Sequence, residues 1–199
     1  AASHVCGCLT SITPPEGVTR IGYDAFEGCS SLTSITIPEG VTSIGSRAFV
    51  GCENLTSINI PNSVISIERD AFLYCKSLRN IIIPNSVKKI EENTFYECSS
   101  LQNVTLPNKL ESIGKSAFHG CKSLRNIIIP NSVTFIGETA FWTCEKLETI
   151  IVPDECSIEK WWGSAGTSTA FLGCHNLKSV KGHNIMYAKW IVEHLSFYD

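Results

Sequence analysis

Cys29-Ser30-Ser31-Leu32-Thr33-Ser34-Ile35-Thr36-Ile37-Pro38-Glu39-Gly40-Val41-Thr42-Ser43-Ile44-Gly45-Ser46-Arg47-Ala48-Phe49 decides the fold, because nearly the same order of residue types returns every 23 positions. The closing Phe recurs at Phe26, Phe49, Phe72, Phe95, Phe118 and Phe141, and then at Phe171 after a gap of 30. An Ala precedes it in each case except Thr94. Three residues after each Phe stands Cys29, Cys52, Cys75, Cys98, Cys121, Cys144 or Cys174, and three further on Leu32, Leu55, Leu78, Leu101, Leu124, Leu147 or Leu177. Cys6 and Leu9 carry both columns back toward the start. A period in the range of 20–50 residues is the signature of a solenoid.

Within one period, Ile35 and Ile37 share a face by the two-residue repeat of a strand, and Pro38 closes it because proline cannot donate to a ladder. The half-turn that follows supplies Val41 and Ile44 to the opposite wall. One such coil cannot bury its own apolar residues, whereas a stack of parallel coils about 4.8 Å apart merges them into one core. The reading is a β-rich solenoid of about eight turns over residues 1–182, interrupted by an insertion at 154–169 and closed by a capping segment at 183–199.

The pattern Cys-x-x-Leu-x-x-Ile-x-Ile-Pro-x-x-Val-x-x-Ile-x-x-x-Ala-Phe, followed across residues 5 to 182, resembles the BspA-type subclass of leucine-rich repeat proteins. The resemblance implies a right-handed superhelix with a parallel sheet on one face. It also implies a secreted or cell-surface protein that acts as an adhesin or interaction module, often in microbes living on mucosal or other host surfaces.

Composition narrows the partners. With 199 residues, 43% hydrophobic and 18% charged, the chain describes a folded domain with a substantial core. A net charge of −3 with scattered Lys and Arg gives no footprint for nucleic acid, and apolar runs of three or four residues predict no membrane insertion. No nucleophile elbow, phosphate-binding glycine loop or dinucleotide fingerprint is present, and the Asp and Glu residues fall on variable positions expected to be solvated. No catalytic residue, cofactor or metal is therefore expected. Cys6-Gly7-Cys8 beside His4 lacks the second ligand pair of a zinc site. His119, His175, His183 and His194 read as surface or cap residues.

The in-register cysteines are close enough for bridges, but identical side chains pointing the same way favour buried free thiols. Asn54-Leu55-Thr56 and Asn103-Val104-Thr105 match the glycosylation pattern at positions where the repeat itself favours Asn and Thr.

Outward strand positions remain for a partner. Early turns carry only Ser34, Thr36, Ser57 and Asn59 there, whereas later ones present Arg79, Asn80, Ile82, Gln102, Asn103, Arg125, Asn126, Ile128 and Ile151. These form the candidate partner-binding face, with Trp161 and Trp162 of the insertion as a secondary candidate and packing against the cap as their structural alternative. The function expected is non-enzymatic binding of an extracellular or host protein or glycan. The alternative is a structural spacer with no ligand of its own.

Overall fold

In the computed structural model, which describes residues 6–158 and 169–181, a short 3-10 turn at Cys6–Cys8 leads into fifteen short strands among the described residues. They are β1 (Ser11–Ile12), β2 (Arg20–Ile21), β3 (Ser34–Thr36), β4 (Ser43–Ile44), β5 (Ser57–Asn59), β6 (Ser66–Ile67), β7 (Asn80–Ile82), β8 (Lys89–Ile90), β9 (Asn103–Thr105), β10 (Ser112–Ile113), β11 (Asn126–Ile128), β12 (Phe135–Ile136), β13 (Thr149–Ile151), β14 (Ser157–Ile158) and β15 (Ser179–Lys181). Odd-numbered strands form one wall and even-numbered strands the other. Every pairing is parallel and all but the last on each wall step by the 23-residue repeat, so Ile35 lies on Ile58 and Ile113 on Ile136. The expected solenoid is observed, with a second, narrower ladder on the wall opposite the main sheet.

The core is the set of repeating columns. Phe49, Phe72, Phe95, Phe118, Phe141 and Phe171 are buried and stacked, with centroids 5.3–5.5 Å apart from Phe49 onward and planes within 14° of one another. Such offset spacing follows from the coil rise and lies inside the range aromatic pairs favour. Thr94, the exception in the Ala column, stays buried because its hydroxyl donates to the Glu91 carbonyl at 2.8 Å.

At the front, Pro14 occupies the position of the second strand isoleucine and β1 is only two residues long, as a residue without an N–H requires. At the back, β14 pairs with β12 so that Ile158 lies on Ile136, one residue short of the period. Regular coil therefore extends to residue 158, inside the segment expected to be an insertion. The rest of that insertion to residue 168, with Trp161 and Trp162, and the capping segment 183–199 lie outside the described residues.

Two expectations are corrected. Cys6 and Cys29 form a disulfide across a Cα–Cα distance of 4.7 Å, so the cysteine column is not free throughout. From Cys52 onward each thiol in the column donates to a Phe carbonyl of the preceding coil, as in Cys75 to Phe49 at 3.2 Å and Cys98 to Phe72 at 3.2 Å. That bond aims the sulfur away from the next cysteine. The second correction concerns Asp70, which is buried rather than solvated, accepting from the Asn93 side chain at 3.0 Å.

Burial drives the ladder thiols upward, Cys52 to about 12 and Cys75, Cys98, Cys121 and Cys144 likewise well above the ordinary thiol range, because a thiolate is poorly solvated there. Half-buried Cys156 is raised to about 11 by the same cause. The thiolate is the reactive species. Brief alkylation of the native protein should therefore label exposed Cys8 first, and the ladder only after unfolding. Mass mapping that finds Cys75 or Cys98 modified as fast as Cys8 would contradict the buried ladder.

Candidate functional site

The outward positions of the main wall fall where the strand alternation puts them. Arg79, Asn80, Ile82, Gln102, Asn103, Arg125, Asn126 and Ile128 are exposed, and Ile151 is half-buried. Ile82 and Ile128 keep 70% and 67% of their surface open to solvent. They lie two coils apart on one face, separated by Thr105 of β9.

Early and late coils differ here for a visible reason. The Thr33 and Thr56 hydroxyls donate to the carbonyls of Thr10 and Thr33, each at 3.0 Å, so the front of the face is occupied in tying coil to coil. From the fourth coil that column becomes Arg79, Gln102, Arg125 and Glu148, which project longer polar side chains. The Asn103 amide donates to the Asn80 side chain at 2.7 Å. Similarly, Asn54 donates to the Ser30 carbonyl at 2.8 Å, so both sequon asparagines serve the stack.

Charge is mostly neutralised between coils: Lys76 pairs with Glu53 at 2.9 Å, Lys122 with Glu145 at 2.9 Å and Lys88 with Glu111 at 3.0 Å. Arg125 approaches Glu148 at 3.5 Å, and Lys178 shares that carboxylate at 3.2 Å. Exposed pairs of this kind add little stability, but they remove free charge from the surface. Among the described residues Arg79 makes no ion pair, so the two arginines expected to act alike are not equivalent.

On the opposite wall, a column of Gly22, Gly45, Gly114 and Gly137 is interrupted by Glu68 and Glu91. The ladder also breaks there, between β6 and β8. An open groove of about 520 Å³ lies at the break, lined by Tyr23, Ser46, Ser66, Glu68, Arg69 and Glu91. The Glu68 carboxylate is engaged, accepting from Arg20 at 2.7 Å and from the Ser46 amide at 2.9 Å.

A third feature escapes the strand-based reading. On the turn-rich edge leading from the second wall back to the first, Tyr96 stacks on His119 with centroids 4.4 Å apart and planes 19° apart. Trp142 continues the row at 5.3 Å, tilted by 53°, and Tyr74 meets Tyr96 edge-on at 5.8 Å. The signal was present in the column after each Phe, which runs Glu27, Val50, Leu73, Tyr96, His119 and Trp142. His119, expected to be a plain surface residue, is half-buried in this row. Burial lowers its pKa, opposed in part by nearby Glu97, so the imidazole is neutral at pH 7. Tyr96 is raised by burial first and then by Tyr74 and Glu97, which keeps its hydroxyl protonated.

The backbone beneath the row is unusual. The second residue after each Phe has positive φ, and it is Gly at 28, 51, 120 and 173. Tyr74, Glu97 and Thr143 take that place with φ of 61°, 56° and 55°. A left-handed non-glycine residue costs of the order of 1 kcal/mol or more. Three of the row's four coils hold such a residue and the coil of His119 holds Gly120, while the residue two before each Phe, from Asp24 and Arg47 to Ser116 and Thr139, is left-handed and non-glycine along the whole stack.

No group of His, Cys, Asp and Glu side chains suited to a metal ion occurs among the described residues, and no helix among them is long and apolar enough to cross a membrane.

No curated protein matches the chain. The family model described as "BspA type Leucine rich repeat region (6 copies)" matches residues 2–99 and 88–188. Among solved structures, the chain is similar to the leucine-rich repeat protein TpLRR of T. pallidum, with 30% identity and a TM-score of 0.79 over 95% of this chain and 84% of that one. It is also similar to a leucine-rich repeat protein of Bacteroides ovatus, with 29% identity and a TM-score of 0.50 over 89% of this chain and 56% of that one. The repeat columns, the parallel coil stack and the family match agree, and the chain belongs to the BspA-type leucine-rich repeat family.

Proposed function

We propose that this chain is a non-enzymatic binding module of a secreted or cell-surface protein, whose main strand wall meets an extracellular or host protein or glycan. The observation that carries the reading is the pairing of two widely exposed isoleucines, Ile82 and Ile128, with Arg79, an exposed cation that makes no ion pair among the described residues. Apolar surface beside an available arginine is the composition of interface cores, where arginine is enriched and lysine depleted. It favours a protein over a glycan on this wall. Membership of the BspA-type family supports a binding or repeat module, and the resemblance behind it is the support for a surface location.

The test is binding of the purified chain to extracellular-matrix proteins, plasma proteins and glycans, with Arg79→Glu and Arg125→Glu measured separately. Arg79→Glu is expected to weaken binding about tenfold or more, equivalent to about 1.4 kcal/mol. Arg125→Glu should act less, because Arg125 already shares Glu148 with Lys178. Binding to none of the panel, or indifference to both reversals, would favour a spacer that holds other segments away from a surface.

A further inference from the structure

We propose a second site, on the edge rather than the strand wall, that binds a neutral oligosaccharide along Tyr74, Tyr96, His119 and Trp142. Four coils in succession place these rings in one row, over roughly 14 Å at about 4.8 Å per coil, the length of a tri- or tetrasaccharide.

The row is not needed by the fold. Elsewhere in its main column Val50, Leu73 and Leu172 serve, and the core is already filled by the Phe stack one residue earlier. Nor does the fold need Tyr74, Glu97 or Thr143 in left-handed backbone, since glycine takes that place without strain in four other coils. Left-handed non-glycine residues also recur two before each Phe from Asp24 to Thr139, so the conformation alone assigns no use; what sets Tyr74 and Glu97 apart is that they place side chains along the row where glycine would serve.

Their chemistry selects the ligand. Tyr96 and His119 stack on each other and spend their faces there, whereas Tyr74, 41% exposed, stands at 86° to Tyr96, and Trp142 is tilted by 53°. Exposed Tyr74 and half-buried Trp142, both turned out of the stack, are the rings placed to meet the apolar C–H side of a pyranose. The polar groups between them are a phenol and an imidazole held neutral by burial, together with the Glu97 carboxylate, which lies over Gly120 beside His119. These groups can donate to and accept from sugar hydroxyls. No cation belongs to the row, and the nearest lysines, Lys76 and Lys122, are paired with Glu53 and Glu145. Phosphorylated, sulfated and sialylated ligands are therefore disfavoured, since Glu97 would repel them.

The full chain can be titrated with tri- and tetrasaccharides of β-linked glucose and β-linked N-acetylglucosamine, and with a sialylated trisaccharide, read by ligand-observed saturation-transfer NMR and calorimetry. Saturable binding to a neutral sugar, weakened about tenfold or more by Tyr96→Ala or Trp142→Ala, is the expected result. Glu97→Gly removes a left-handed non-glycine residue, so it should weaken binding while leaving the melting temperature unchanged or higher. A structural role would instead lower it. That variant decides the matter if an alanine variant fails to fold. Arg79→Glu should bind the sugar as the parent does, which separates this site from the strand wall. Binding to no neutral sugar, equal binding by all edge variants, or loss in Arg79→Glu alone would overturn the proposal.

Discussion

Phe95→Ala is expected to lower the folding free energy by about 3–5 kcal/mol, the range for emptying a buried aromatic site. Phe95 is fully buried and stacked on both sides, 5.5 Å from Phe72 and 5.3 Å from Phe118. Removing the ring forfeits both stacks and leaves a cavity whose walls are fixed by coil-to-coil hydrogen bonds on either side, such as Phe72 to Thr94 and Phe95 to Ala117. Those walls cannot collapse without breaking the ladder. In a solenoid each coil is coupled only to its neighbours, so weakening the middle weakens communication between the ends. Urea unfolding followed by circular dichroism should therefore show a lower midpoint and a broader transition. Phe26→Ala makes the comparison, because Phe26 is half-buried and stacks only with Phe49 among the described residues. Its loss should be roughly half as large on the same scale. A cost below about 1 kcal/mol for Phe95→Ala would mean that the Phe column is not the packing spine.

The columns that face inward were legible in the sequence because burial imposes the same demand on every coil. Leu32, Leu55 and Leu78 must fill the same volume, and the identity of the residue reports its place. Outward positions obey no such rule, and what occupies them depends on reach between coils. Nothing in the residue Arg125 says that it shares Glu148 with Lys178, or in Arg79 that it makes no ion pair among the described residues. The cysteine column was read correctly as buried but not as bridged at its front, because the bond that holds each deeper thiol is made to a carbonyl 26 residues away or further, which the column itself does not display. The aromatic edge was readable as Tyr96, His119 and Trp142 at the repeat spacing. Strand alternation, however, assigns turn residues to no face, so the column alone does not show that the three rings meet. The left-handed backbone beneath it, occupied by Tyr74 and Glu97, is a property of conformation that the residue names conceal.

Gly114→Val is the other substitution expected to have a large effect, and the chain carries its own precedent for it. A Cβ at residue 114 would stand 2.8 Å from the backbone of both Glu91 and Glu92, nearer than real side chains approach. One non-glycine residue in this column is absorbed: Glu68 lies over Gly45 and its amide still donates to the Ile44 carbonyl at 2.9 Å. Where Glu91 follows Glu68 the ladder is interrupted between β6 and β8, as it also is between β5 and β7 and between β9 and β11 on the other wall. Valine at 114 would make a third, on the coil whose Gly114 amide now donates to Ile90 at 2.8 Å. The break should spread to β8 and β10, at a cost of about 2–3 kcal/mol from overpacking and the lost hydrogen bond together. Gly22→Val belongs to the same column but has nothing within 4 Å of its Cβ, and should change stability by no more than about 0.5 kcal/mol. Hydrogen exchange locates the damage: the amide at 114 should lose protection in Gly114→Val, while β3 and β5 on the other wall keep theirs. Equal stabilities for the two valine variants would show that the glycine column does not govern how closely the coils approach.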